Sequence, residues 1–172
     1  LSLELEDDAR TNRATLAQNA SRDFIAICLT DHASTNSQQS RGCMNNKMDF
    51  YETDGGRICQ TFKDDCVVRS ISVVLRCSYK TVFEDLMSLG LEIGAYPNHD
   101  KVWIKYVESK GFVKNRPPRD ENGRLIKLRD WGFKGRAVVR NSGHLTAVDG
   151  GTVIDTWDCR RRPVNSYWVY QT

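Results

Sequence analysis

Hydrophobic and polar positions alternate irregularly over the first part of the chain and more regularly over the rest. Apolar residues between positions 10 and 30 fit a single helix only loosely, and residues 34–46 are rich in Ser, Asn and Gln, which is typical of a linker. We therefore predict an N-terminal extension over residues 1–46, helical in part, and a separate domain over residues 47–172. A helix packed on that domain is the alternative for the extension. Because the first residue is Leu, we expect the sequence to be a fragment or a processed chain.

From Cys59 onward the helical period is clear. Apolar residues at 67, 68, 71, 74 and 75 predict a largely buried helix from Cys66 to Cys77, with Asp64 or Asp65 as its N-cap. Two further helices are predicted over residues 79–89 and 101–109. Their expected capping and terminating residues are Ser78 and Gly90 for the first, and Asn98 or Asp100 and Gly111 for the second.

The period changes to that of strands after a polar loop at residues 116–123. Strands are predicted over residues 136–140, 144–148, 153–156 and 166–171. The sequence Asp149-Gly150-Gly151 predicts a tight hairpin between the second and third of them, because glycine adopts the positive φ that such turns need. Helices followed by strands predict an α+β fold, in which N-terminal helices pack on a C-terminal antiparallel sheet.

Composition and charge are those of an ordinary globular domain. The 172 residues are 40% hydrophobic and 27% charged, with a net charge of +3, so a core can form without disulfide support. The six cysteines include no Cys-x-x-Cys pair and no Cys/His cluster at zinc spacing, so we expect mostly reduced thiols and predict no metal and no cofactor. No apolar run approaches the roughly 18 residues of a membrane span, and we expect a soluble protein of the cytosol.

One set of residues has the order and settings of nucleophilic catalysis. Cys66 opens a predicted helix, whose N-terminus favours a thiolate. His144 begins a predicted strand and can act as its base, and Asp155 on the next strand can orient the imidazole. The alternatives are a buried structural cysteine, a histidine bonded to a backbone carbonyl, and an aspartate that bonds the hairpin. Asp158, near the strand end, is the reserve candidate for the acid.

These residues resemble the papain-like cysteine peptidase superfamily, over roughly residues 59–172. In that family the nucleophile begins a central helix, the histidine begins a sheet strand, and an Asn or Asp on the next strand orients it. The resemblance implies that Gln60, six positions before Cys66, donates to the oxyanion, and that Trp157 follows the orienting acid as the family's tryptophan does. The chain departs from the papain motif beside the cysteine, where Asp65 and Val67 replace the family's glycine, serine and aromatic residue.

The resemblance implies a cysteine hydrolase, a peptidase in the first instance, that cleaves an amide, isopeptide or ester bond of a protein or peptide through an acyl-enzyme. Acyl transfer or amidase chemistry on the same triad is one alternative. A non-catalytic binding protein of papain fold is another. The chain is also similar to small uncharacterised proteins of tailed bacteriophages, which implies a role in the host cytoplasm, for example as a modulator of a host factor. The run Arg160-Arg161-Arg162 favours a solvated loop over a nucleic-acid site.

Overall fold

The computed structural model describes residues 47–59 and 64–171 of the chain. The predicted extension over residues 1–46 and the predicted oxyanion donor Gln60 lie outside the described residues. Within those residues, three helices pack against a six-stranded mixed sheet, which is an α+β arrangement. The helices are α1 (Cys66–Leu75), α2 (Tyr79–Ile93) and α3 (Asp100–Ser109). The strands are β1 (Asp49–Glu52), β2 (Phe112–Asn115), β3 (Ala137–Asn141), β4 (His144–Asp149), β5 (Thr152–Asp155) and β6 (Ser166–Tyr170).

The sheet has the strand order β1-β5-β4-β3-β6-β2. Four of its five pairings are antiparallel, but β1 pairs with β5 in parallel, with Asp49 opposite Thr152 and Glu52 opposite Asp155. The expectation of a purely antiparallel sheet is therefore wrong. The reason is that β1 precedes the helices in the chain and reaches the edge of the sheet in the same direction as β5. Neither this strand nor β2 at the opposite edge was predicted from the sequence.

The hairpin between β4 and β5 was predicted correctly and sets the register of the candidate site. Gly150 and Gly151 form its two-residue turn with φ angles of 60° and 94°. Asp149 pairs with Thr152 and Ala147 with Ile154. Continuing this register places Asp155 opposite Thr146. His144, two residues before Thr146 on β4, lies on the same face of the sheet.

Two clusters of buried apolar residues lie on the two faces of the sheet, because alternate residues of one strand point to opposite faces. Val138 packs in the cluster with the helices, whereas its neighbour Val139 packs in the second cluster. The apolar face of α3 is buried. It consists of Val102, Trp103, Tyr106 and Val107. None of the helices in residues 47–59 and 64–171 is both long and apolar enough to cross a membrane.

The predicted N-cap is confirmed for α2 and wrong for α3. Ser78 caps α2 by accepting a hydrogen bond from the backbone N–H of Thr81, as predicted. The cap of α3 is His99 rather than Asn98 or Asp100, because its Nδ1 accepts from the N–H of Lys101 at 3.2 Å.

The end of α2 corrects the interpretation of Gly90. The helix continues through Gly90 to Ile93 and ends at Gly94, which has a left-handed φ of 74°. Gly90 is required for another reason. A Cβ at this position would lie 2.6 Å from the carbonyl oxygen of Ala95, so the segment after the helix folds back against a residue that has no side chain.

We expect Gly90→Ala to destabilise the protein by about 1–3 kcal/mol, although alanine is the better helix former. The added methyl group would collide with a backbone oxygen that cannot rotate away. Urea unfolding against the wild type measures the change. Ser88→Ala is the matched control at an exposed position of the same helix, and should be neutral or slightly stabilising. A neutral Gly90→Ala variant would show that the contact with Ala95 is not maintained.

Candidate active site

Cys66 is the first residue of α1 and lines an open cleft of about 490 Å³. His144 and Trp157 line the same cleft, as do three arginines and three aspartates. The structure therefore brings two of the predicted catalytic residues, Cys66 and His144, to one concave surface. The charged residues that line this surface are Arg57, Arg69, Arg140, Asp64, Asp65 and Asp100.

His144 is held by Asp155, as expected from the sequence. Its Nε2 lies 2.6 Å from Oδ2 of Asp155, and Asp155 is only 2% exposed. Burial by itself would raise the pKa of this carboxyl group. The hydrogen bonds from His144 and Arg69 outweigh burial and lower the pKa of Asp155 to about 2. The carboxylate is therefore ionised over the whole physiological range and can orient the imidazole.

The imidazole and the thiol, which line the same cleft, also shift each other's pKa. Burial opposes the charged form of His144, but hydrogen bonds to Asp155, Cys159 and Cys66 raise its pKa to about 11. Burial likewise disfavours the Cys66 thiolate. Hydrogen bonds from His144 and from the backbone N–H of Leu145 outweigh burial and lower the pKa of Cys66. The two shifts have opposite directions, which favours a thiolate beside an imidazolium.

Arg69 holds the carboxylate from the other side. Its Nη1 donates to Oδ1 of Asp155 at 2.9 Å, and its Nε donates to Oδ1 of Asp65 at 2.9 Å. The guanidinium side chain is only 8% exposed. Because Arg69 stands three positions after Cys66 on α1, the helix that carries the thiol also carries the cation that holds the acid.

Asp65 occupies the N-cap position of α1, as predicted, but its side chain does not make the capping hydrogen bond. Its carboxylate accepts from Arg57 at 2.7 and 2.8 Å, from Arg69, and from the hydroxyl of Tyr79 at 3.1 Å. The α1 N-cap position therefore has no side-chain hydrogen bond. The two guanidinium groups attract the carboxylate more strongly than neutral N–H groups do. As a result the charge next to Cys66 is neutralised. Asp64, the other predicted cap, has a φ of 57° and lines the cleft.

Trp157 and Asp158 were also singled out from the sequence and lie in the described part of the chain. Trp157 is 40% exposed, so it is not a core residue; its ring centroid lies 5.2 Å from that of His144. Arg162 covers the tryptophan ring at 5.2 Å. Asp158, the reserve acid, is bound by Arg160 at 2.9 Å. Of the two other histidines of the chain, His99 caps α3 and His32 lies outside the described residues.

A second thiol lies beside the imidazole and acid. Cys159 is fully buried, and its Sγ is 3.8 Å from Oδ2 of Asp155. Together with His144 and Asp155 it offers three potential metal ligands within 4.8 Å of one another. Two ligands of one tetrahedral zinc ion are about 3.5 Å apart, given the usual zinc–ligand distances. The separation of 2.6 Å between Nε2 and Oδ2 is that of a hydrogen bond, and Arg69 holds the other carboxylate oxygen. As arranged, the group is an imidazole–carboxylate pair and not a preformed cation site.

Three residues of the site, Arg57, Arg69 and Cys159, were not predicted from the sequence. Only Arg69 had a local signal, since Asp65 and Arg69 are four positions apart at the start of a helix and this spacing favours an ion pair. Its second partner, Asp155, is 86 positions away in the chain. Arg57 lies in the turn after β1, a strand that was not predicted.

Comparisons with protein-family models, with curated proteins and with solved structures found no match for this chain.

We expect Arg69→Gln to cost about 3–5 kcal/mol of folding free energy, because it leaves two buried carboxylates short of a cation. Arg76→Gln is the matched control. Arg76 follows the same helix and pairs with Asp149 at 3.1 Å, but its side chain is 51% exposed, so its loss should cost less than about 1 kcal/mol. Urea unfolding of both variants tests the difference. Equal costs would contradict the bridging role of Arg69.

The pKa of Asp155 also predicts a pH dependence of stability. The folded state lowers this pKa from 3.8 to about 2. The resulting stabilisation is fully present above the unfolded value and is lost as the pH falls through the folded value. The difference in unfolding free energy between wild type and Asp155→Asn should therefore shrink by on the order of 2 kcal/mol between pH 5 and pH 2. Urea unfolding at several pH values measures it, and a difference independent of pH would exclude the shift.

Proposed function

We propose that this protein is a cysteine hydrolase of papain-like type, acting on an amide, isopeptide or ester bond of a protein or peptide. The observation that carries the proposal is that Cys66 and His144 line one cleft, and that His144 is bonded at 2.6 Å to the buried carboxylate of Asp155. A nucleophile, a base and an orienting acid at one site are the elements that nucleophilic catalysis needs.

The charges around the site support formation of the nucleophile. Asp155 stabilises an imidazolium, and Arg69 and the N-terminus of α1 stabilise a thiolate. Because Nε2 of His144 is engaged by Asp155, Nδ1 is the nitrogen that exchanges a proton with Cys66. The thiolate–imidazolium pair then exists above the lowered pKa of Cys66 and below the raised pKa of His144.

The reaction would proceed in two halves. The Cys66 thiolate attacks the carbonyl carbon, a C–S bond forms, and the carbonyl oxygen takes the negative charge. When the tetrahedral intermediate collapses, the bond to the leaving nitrogen or oxygen breaks and His144 gives that atom its proton. Water then attacks the thioester while His144 removes a proton from it. The C–S bond breaks, a carboxylic acid is released, and the original Cys66–His144 pair is regenerated.

The oxyanion needs donors close to Cys66. The backbone N–H of Cys66 is in the first turn of α1, where a helix provides no acceptor of its own, and we assign it as one donor to the substrate oxygen. Gln60 is the proposed second donor on the family resemblance alone, since it lies outside the described residues.

The proposal predicts that Cys66 reacts with iodoacetamide well below the unperturbed thiol pKa of about 8.5. Cys77 is an internal control in the same molecule. It lies at the surface after α1, and partial desolvation of its sulfur raises its pKa. At pH 6 an ordinary thiol is less than about 1% thiolate, so Cys66 should be alkylated at least about tenfold faster than Cys77. Site-resolved mass spectrometry gives both rates from one sample.

The variant His144→Ala identifies the cause. It should remove the fast reaction of Cys66 at pH 6 while leaving the rate at Cys77 unchanged. Ordinary pH dependence at Cys66 in the wild type would refute thiol activation and favour the non-catalytic binding protein. Activation together with a peptide acyl group passed to an added amine, rather than to water, would assign acyl transfer instead of hydrolysis.

A further inference from the structure

We propose that a second cavity beside the candidate active site binds an acidic side chain of a peptide substrate. The inference rests on the proposed function and names the substrate class of that site. The cavity has a volume of about 640 Å³ and lies between the end of β2, the turn that precedes His144, and the start of β6. It shares Arg140 and Gly143 with the cleft of Cys66, so one extended chain can occupy both.

The charges of the two regions differ. In the cleft of Cys66, three arginines stand with three aspartates, and each arginine is paired with an aspartate. The second cavity is lined by Lys114, Arg116 and Arg140 and by no carboxylate. Asp100 neutralises Arg140 at 2.7 Å. Neither Lys114 nor Arg116 has a salt bridge in residues 47–59 and 64–171, so these two cations are available to a bound anion.

The rest of the lining can form hydrogen bonds. It includes Asn115, Asn165, Ser142 and Ser166. Asn141 also contributes to the lining and is 1% exposed, yet its Nδ2 and Oδ1 have no hydrogen-bond partner in the described part of the chain. Because these two atoms are buried, the groups that can meet a bound anion are the two cations and the other amide and hydroxyl groups of the lining.

A carboxylate of a peptide fits these features better than a nucleic-acid backbone does. Two unpaired cations can neutralise one or two carboxylates, whereas nucleic-acid binding uses a longer basic track. Single-stranded nucleic acids also require exposed aromatic faces for stacking. Lys114 lies over the ring of Trp168 at 5.4 Å, but this tryptophan is fully buried. The cavity lining contains no aromatic residue.

Epoxysuccinyl peptides test this inference, because the epoxide traps Cys66 while peptide extends to both sides of it. A series of alanine-based probes would carry a single Glu at each successive position, and each would have a matched probe with Gln. We expect Cys66 to be modified about fivefold faster by the Glu probe than by the Gln probe at one or two positions, an effect of the size that an exposed ion pair produces. The preference should fall towards unity in 0.5 M NaCl, because salt screens exposed charges.

Two double variants separate the cavity from net charge. Lys114→Gln with Arg116→Gln should abolish the preference for Glu. Arg124→Gln with Lys127→Gln removes the same charge at exposed residues outside the cavity, and should retain the preference. Arg116→Gln alone keeps the contact of Lys114 with Trp168, and should weaken the preference without loss of stability.

Several outcomes would overturn the inference. They are equal rates for Glu and Gln at every position, an equal loss of preference in both double variants, or no reaction of any peptide probe at a Cys66 that iodoacetamide shows to be activated. A labelled oligonucleotide that binds through Lys114 and Arg116, with no peptide preference, would assign the cavity to phosphate groups. Slow alkylation of Cys66 by iodoacetamide with ordinary pH dependence would instead refute the proposed function, and this inference with it.

Discussion

The buried guanidinium of Arg69 is the group on which the geometry of the candidate site depends. Two carboxylates, Asp65 and Asp155, are almost completely removed from water, and neither would remain ionised there without cationic partners. Arg69 bonds both at 2.9 Å. Because the guanidinium is planar and its donors have fixed directions, it holds the two acids at a set separation, which a lysine could not do. The orientation of Asp155 towards His144 follows from this constraint.

The bond between Arg69 and Asp155 also joins the helix α1 to the β4–β5 hairpin at the candidate site. Cys66 is carried by α1, whereas His144 and Asp155 are carried by the β4–β5 hairpin. Apolar packing alone would leave the end of α1 free to shift by fractions of an ångström, and hydrogen bonds between thiol and imidazole do not tolerate large shifts. Arg69 ties the first turn of α1 to the end of β5. The segment after β1 is bonded to both sides. The N–H of Thr53 donates to the carbonyl of Asp155 at 2.8 Å, and Arg57 donates to Asp65 at 2.7 Å.

Features with a local pattern could be predicted from the sequence, and features created by folding could not. The N-terminus of α1 and the Asp149-Gly150-Gly151 turn have local patterns, and these patterns suffice to propose Cys66, His144 and Asp155 as one site. The short edge strands β1 and β2, of four residues each, have too few positions to show alternation. The role of Gly90 and the bond between Arg69 and Asp155 arise from residues brought together by folding. Asp65 looked like a helix cap because its competing partner Arg57 was not recognisable.

The balance of charge explains how a thiolate can form next to Asp65, a neighbour that should oppose it. Arg57 and Arg69 together carry two positive charges, and Asp65 and Asp155 carry two negative ones, so this group is neutral as a whole. Its internal arrangement is not symmetric. Asp155 lies against the imidazole of His144, and Arg69 lowers the pKa of Cys66. Proton transfer from Cys66 to His144 therefore places each new charge beside an opposite one. A neutral surrounding with this polarity favours the ion pair without adding net charge to the cleft. Under the proposed function, selectivity for charged substrates would therefore arise in the second cavity, at Lys114 and Arg116.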